Sequence, residues 1–172
     1  MKTLKSIILS ITLLVVFNQA KAQDNGPNVA LNNVITDYLG VKNALITDNS
    51  VASKNQAKLL LAAITAVPAD KFTTEQKALW TSYTNKLQFD SRHISESDAI
   101  DHQREHFASL SKNLFTVIKG LKLNTAIIYE QYCPMKKATW LSETAAIKNP
   151  YFGKQMPTCG KTTETIKPSG ML

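Results

Sequence analysis

The stretch YCPMKKATWLSETAAIKNPYFGKQMPTCG, Tyr132 to Gly160, holds both cysteines of the chain, Cys133 and Cys159, and two of its four methionines, Met135 and Met156. Thiolate and thioether are soft ligands that select Cu(I), and thiolate also takes Zn(II). A single methionine is usually a filler of core gaps. A Cys-x-Met pair at one end of a segment and a Met-x-x-Cys pair at the other fit a ligand set better. Pro134 and Pro157 restrict the backbone inside both pairs. In an oxidising compartment the same two cysteines can instead pair with each other. That bridge would close a loop of about 27 residues, worth roughly 3–4 kcal/mol in chain entropy. The spacing admits both outcomes. Neither cysteine belongs to a Cys-x-x-Cys motif, so a thioredoxin-like redox function has no support.

The three histidines, His93, His102 and His106, fall in one short stretch. His102 and His106 stand four apart, so on a helix both imidazoles project from one face, a common way to offer two nitrogen ligands. At about 100° per residue, His106 lies roughly 70° and His102 roughly 110° from the centre of the apolar stripe of that helix. The pair therefore borders the core, where a segment packed along the flank would bring sulfur to it. Asp98 and Glu105 are near enough in sequence to orient an imidazole. The candidate metal set is Cys133, Met135, Met156, Cys159, His106 and His102, for Cu(I) first and Zn(II) second. No catalytic residues are assigned. No carboxylate pair or Ser-His-Asp arrangement stands out, and no local motif makes Cys133 with His106 a nucleophile and base.

The elements that must position these residues read as helices. Leu31, Val34, Ile35, Tyr38, Leu39 and Leu45 recur at helical spacing and predict a helix over about 28–47. Asp48-Asn49-Ser50 is a turn and cap, and a second helix follows over about 51–67, ended by Pro68. Thr73 with Gln76 three residues on has the form of a capping box and opens a third helix. Ser95 to Asp98 starts a fourth, which Gly120 ends. The fold class is all-α: an antiparallel up-down four-helix bundle over 28–121, carrying an irregular, aromatic-rich C-terminal layer over 125–166. Within that layer Thr125 to Tyr132 reads as a short strand or extended segment, and Trp140 to Lys148 as a short helix. Residues 167–172 read as a tail.

The first residues, MKTLKSIILSITLLVVFNQAKAQ, have the form of a secretory signal peptide, with basic Lys2 and Lys5, an apolar Ile7–Phe17 run and an Ala20-Lys21-Ala22 cleavage site. The apolar run is short of the roughly 20 residues that span a bilayer. Cleavage after Ala22 leaves 150 residues, one domain over 23–166, in the periplasm or secreted. Lys2, Lys5 and Lys21 leave with the leader, lowering the net charge from +7 to +4. The remaining lysines and arginines are scattered, which disfavours a nucleic-acid partner.

HQREHFASLSKNL (102–114), followed by the Tyr132–Gly160 stretch, resembles the bacterial domain of unknown function 3347. The resemblance covers most of the mature chain. It is most specific at Gln103-Arg104, Phe107, Leu110-Ser111, Cys133-Pro134-Met135, Trp140-Leu141, Asn149-Pro150-Tyr151, Gly153 and Cys159-Gly160. The family usually reads Met-Leu where this chain has Met156-Pro157, so the backbone after Met156 is stiffer here. The family is frequent in Bacteroidetes, as small exported proteins and as a C-terminal domain on periplasmic adaptor subunits of heavy-metal efflux pumps. It has no established activity. The resemblance implies metal buffering or hand-over near an efflux system, with a periplasmic efflux adaptor or another metal carrier as partner, an inference from domain association. A structural or interaction module with a Cys133–Cys159 disulfide is the alternative.

Overall fold

The computed structural model describes residues 26–169. The expected leader and the end of the tail lie outside the described residues. Four helices come first: α1 (Pro27–Ile46), α2 (Ser50–Thr65), α3 (Thr74–Glu96) and α4 (Ile100–Leu121). Pro27 opens α1, where its missing N–H costs nothing. The Asn49 side chain accepts the Ala52 N–H at 2.9 Å and caps α2. Thr73 and Gln76 form the reciprocal capping box of α3. Successive helices pack side by side. They bury Leu31, Val34, Val41 and Leu45 of α1, Leu60 and Ile64 of α2, Trp80 and Leu87 of α3, and Phe107, Leu110, Leu114 and Val117 of α4. Two boundaries differ from expectation. Helix α3 runs on through Glu96, leaving Ser97–Ala99 as the link to α4. Helix α4 passes Gly120 and ends at Leu121, and the cap residue Lys122 takes the left-handed turn at φ 53°.

The all-α expectation holds for the bundle and fails beyond it. The C-terminal layer is a three-stranded antiparallel sheet in the order β2-β1-β3, built from β1 (Ile128–Cys133), β2 (Ala138–Ser142) and β3 (Lys161–Ile166). The extended segment expected around Thr125–Tyr132 is β1. The short helix expected over Trp140–Lys148 does not form. Trp140 instead pairs with Gln131, and Leu141 with Glu130. The buried Gln131 amide then donates to the carbonyls of Thr144 at 3.1 Å and Ala145 at 3.2 Å. Those carbonyls are thereby drawn away from the i to i+4 ladder a helix would need.

The sheet is fastened to the bundle through one buried chain of hydrogen bonds. The Leu141 N–H donates to the Tyr38 hydroxyl at 3.0 Å. The Ser111 hydroxyl donates to the Phe107 carbonyl at 2.7 Å, so the 2.6 Å contact between Tyr38 and Ser111 has Tyr38 as donor. Every polar atom in the relay is satisfied. The Tyr38 ring stacks on Phe107, with centroids 5.1 Å apart and planes 16° from parallel. Burial pushes the Tyr38 phenol far above its ordinary pKa, so the hydroxyl keeps its proton. One turn along α1, the buried Lys42 ammonium pairs with Glu143, just past β2. No helix among the described residues is long and apolar enough to cross a membrane.

Replacing Tyr38 by Phe keeps the ring and removes the relay. It orphans the buried Leu141 N–H and lowers stability by about 1–3 kcal/mol, read from urea unfolding. An unchanged midpoint would remove the relay from the account.

Candidate metal centre

The strands bring the two cysteines to one end of the sheet. Cys133 closes β1, and the antiparallel register that pairs Tyr132 with Lys161 carries Cys159, just before β3, alongside it. Both are free thiols; Cys133 is fully buried and Cys159 half-buried. The Cys159 thiol has Cys133 as its electrostatic neighbour. Burial, and then the neighbouring Cys133 sulfur, push the Cys159 thiol pKa up. Met135 sits in the turn between β1 and β2 and is 64% exposed; Met156 is 39% exposed. The Cys159 N–H donates to the Met156 carbonyl at 3.3 Å, so the Met-x-x-Cys pair is itself a turn. All four sulfur residues thus belong to one corner, one thiol buried, one half-buried and two thioether residues at the surface.

Asn149 organises that corner. Its amide donates to the Cys133 sulfur at 3.2 Å and to the Cys159 carbonyl at 2.7 Å, which joins the two cysteine strands. Its side-chain oxygen accepts the N–H groups of Tyr151 at 2.8 Å and Phe152 at 3.3 Å. The Lys136 N–H also donates to the Cys133 sulfur, at 3.4 Å. Gly160 follows Cys159 because a Cβ there would meet the Trp140 ring at 2.7 Å and the Tyr132 carbonyl at 3.0 Å.

Arg104 of α4 fixes the loop that carries Asn149. Its guanidinium donates to the carbonyl of Pro150 at 2.9 Å, to that of Leu45 at 3.2 Å and to the Asp48 carboxylate at 2.5 Å. That carboxylate also accepts the Lys154 N–H at 3.2 Å. Gly153 has φ 50° and lies against this pair. A Cβ would come 2.0 Å from Asp48 Oδ1 and 2.7 Å from the guanidinium.

The histidines are elsewhere. One ligand atom from each of His93, His102 and His106 lies within 4.8 Å of the others, and all three side chains are half-buried. This is the one such grouping of histidine, cysteine or carboxylate ligands among the described residues. It contains neither cysteine. Arg104, which reaches the sulfur-bearing loop, and His106 are two residues apart on α4 and so point about 200° apart around it. The structure therefore brings together His102 with His106, and Cys133 with Cys159, but does not join the two sets. Helix α3, not the C-terminal segment, covers the histidine flank. His106 Nδ1 bonds to Asp90 of α3 at 2.9 Å. Of the expected orienting carboxylates, Asp98 is taken by Lys54 at 2.8 Å and Glu105 stands 4.0 Å from His102.

Sequence reasoning placed neither His93 nor Asp90 in a site. The available signal was their three-residue spacing on α3 and a link to α4 too short to let the helix ends separate. Asn149 stands out in the sequence only as one of the positions where the family resemblance is most specific.

Residues 34–126 match the family described as Protein of unknown function (DUF3347). That span takes in all three histidines and stops before Cys133. No curated protein and no solved structure matches the chain.

The Arg104 guanidinium holds the Asp48 carboxyl below its usual value of 3.8. A depressed carboxyl binds fewer protons folded than unfolded, so its contribution is complete above about pH 4 and lost as pH falls through the depressed value. Asp48→Asn should therefore unfold at lower urea than wild type at pH 7, with the difference shrinking toward pH 2. Gly153→Ala should cost about 1–3 kcal/mol from its backbone alone, plus displacement of the Asp48–Arg104 pair. An unchanged urea midpoint in Gly153→Ala would contradict this packing.

Proposed function

Because the chain belongs to a family described only as Protein of unknown function (DUF3347), we propose from the site itself that this is an exported, non-enzymatic soft-metal-binding protein. Its ligands are Cys133 and Cys159, with Met135 and Met156 at the edge, and its first-choice ion is Cu(I), followed by Zn(II). Histidines 102 and 106 drop out of this ligand set. The observation that carries the reading is the pair of free, adjacent thiols at the corner of the sheet. Thiolate and thioether donors favour Cu(I). The amide of Asn149 and the Lys136 N–H donate to the Cys133 sulfur, the kind of contact that orients a ligand and tunes its donor strength. Both methionines are exposed beside a half-buried thiol, which suits an ion that arrives from, and leaves to, another carrier. The role is buffering or hand-over near a heavy-metal efflux system, and a periplasmic efflux adaptor or another metal carrier is the partner. The Cys159 thiol, pushed up by burial and by Cys133, must shed its proton to bind, so metal uptake releases protons.

The same adjacency favours a second reading: a structural or interaction module in which Cys133 and Cys159 are bridged.

Titration of the reduced protein with Cu(I) against a chromophoric chelator should give one equivalent bound. The Cys133→Ser/Cys159→Ser variant should lose at least a hundredfold in affinity while its far-ultraviolet circular dichroism stays that of wild type. Equal weak binding by both proteins would contradict the soft-metal reading. Thiol counting on protein taken from the periplasm separates the second reading: two titratable thiols favour the metal site, and none, with resistance to reduction by a metal chaperone, favours the bridge.

A further inference from the structure

We propose that His93, His102 and His106 form a second metal site of different chemistry, an all-nitrogen set for a borderline divalent ion such as Zn(II). It does not rest on the reading of the sulfur corner. The three-residue link Ser97–Ala99 folds α4 back along α3. Position 93, near the end of α3, therefore faces positions 102 and 106, on one face at the start of α4. The His93 and His106 rings stack with centroids 4.4 Å apart and planes 16° from parallel. His102 meets His106 edge-on at 4.7 Å, with 5.9 Å between the His93 and His102 centroids.

One of the three rings is already set up as a ligand. His106 Nδ1 lies 2.9 Å from Asp90 Oδ1, and the Ser109 hydroxyl donates to Asp90 Oδ2 at 2.5 Å. The carboxylate accepts both bonds, so the proton of a neutral His106 sits on Nδ1 and the Nε2 lone pair is left for an ion. A carboxylate that orients a ligating imidazole in this way also raises its donor strength. Asp90 is only 3% exposed. A nearly buried carboxylate held from two sides has more structure than a surface ion pair needs.

The other two rings are free to close. Among the described residues neither ring nitrogen of His93 has a hydrogen bond, and His102 has only the distant Glu105, 4.0 Å away. Nitrogens sharing a tetrahedral Zn(II) at about 2.0–2.1 Å stand roughly 3.3 Å apart. The nitrogens, all within 4.8 Å of one another, need only draw in to that spacing, a movement that side-chain rotation in two half-exposed residues supplies. Phe89 packs 4.3 Å from the His93 ring and 5.6 Å from His106, an apolar wall on one side of the cluster. Asp90 and Glu105 offset the charge of a divalent ion. Imidazole donors suit Zn(II) and not the softest ions. Three protein nitrogens leave the fourth position open, as in sites that exchange a ligand.

Full-length reduced protein is titrated with Zn(II), and the long-range nitrogen–proton NMR spectrum of the imidazoles is followed. All three histidines should shift together along a single binding curve, saturating at one equivalent in Cys133→Ser/Cys159→Ser. His93→Asn should lower the affinity of this event at least tenfold, and Asp90→Asn should lower it 10- to 100-fold, with helical content unchanged. The same Zn(II) event should persist in Cys133→Ser/Cys159→Ser, which separates it from any binding at the thiols. Should the buried-cysteine variant not fold, the wild-type imidazole spectrum alone decides, because it reports each ring directly. Imidazoles that do not respond to Zn(II), or a response unchanged by His93→Asn, would overturn the proposal.

Discussion

The relay from Leu141 through Tyr38 and Ser111 to Phe107 is the interaction on which the rest of the structure depends. A small sheet with one strand at its centre has too little apolar surface to hold itself together. It is stable here because β2 is tied at its backbone to α1 and α4, with Lys42 and Glu143 repeating the tie one turn along. Arg104 does for the long β2–β3 loop what Tyr38 does for the sheet, reaching Pro150, Leu45 and Asp48 from α4. Together these contacts determine where Cys133 and Cys159 can be.

Helix α4 then separates two chemistries. One flank carries Arg104 and Ser111 and faces the sheet, the aromatic Tyr151 and the sulfur corner. The other carries His102 and His106 and faces α3. The soft donors are held by backbone pairing and by the amide of Asn149. The nitrogen donors are held by the tight α3–α4 link and by the buried Asp90. Each set has its own scaffold, and neither needs the other in order to form.

The bundle was legible because its signals are local and repeat. Apolar spacing, the Asn49 cap and the Thr73/Gln76 box each act within a few residues, and each is present. The sheet was less legible because its strands owe their existence to distant partners. KTTETI in β3 is mostly exposed and has one apolar residue, Ile166, so no apolar alternation to read; β1 alone makes it a strand. Trp140 to Lys148 contains good helix formers, yet Gln131 captures the carbonyls that a helix would use. The sequence shows Cys133 with Cys159, and His102 with His106, as pairs by residue type and spacing, and the fold places each pair together. What the sequence could not show was which flank of α4 the C-terminal layer would cover. That depends on Tyr38 and Arg104, two residues with no chemistry of their own at either set.

X-ray absorption at the copper edge, on protein loaded with one equivalent of Cu(I), tests the division of donors most directly. A first coordination shell of sulfur, with no imidazole scattering behind it, is expected. A shell that mixes sulfur with one or more imidazoles would show that the two flanks of α4 meet on one ion, and would contradict that division.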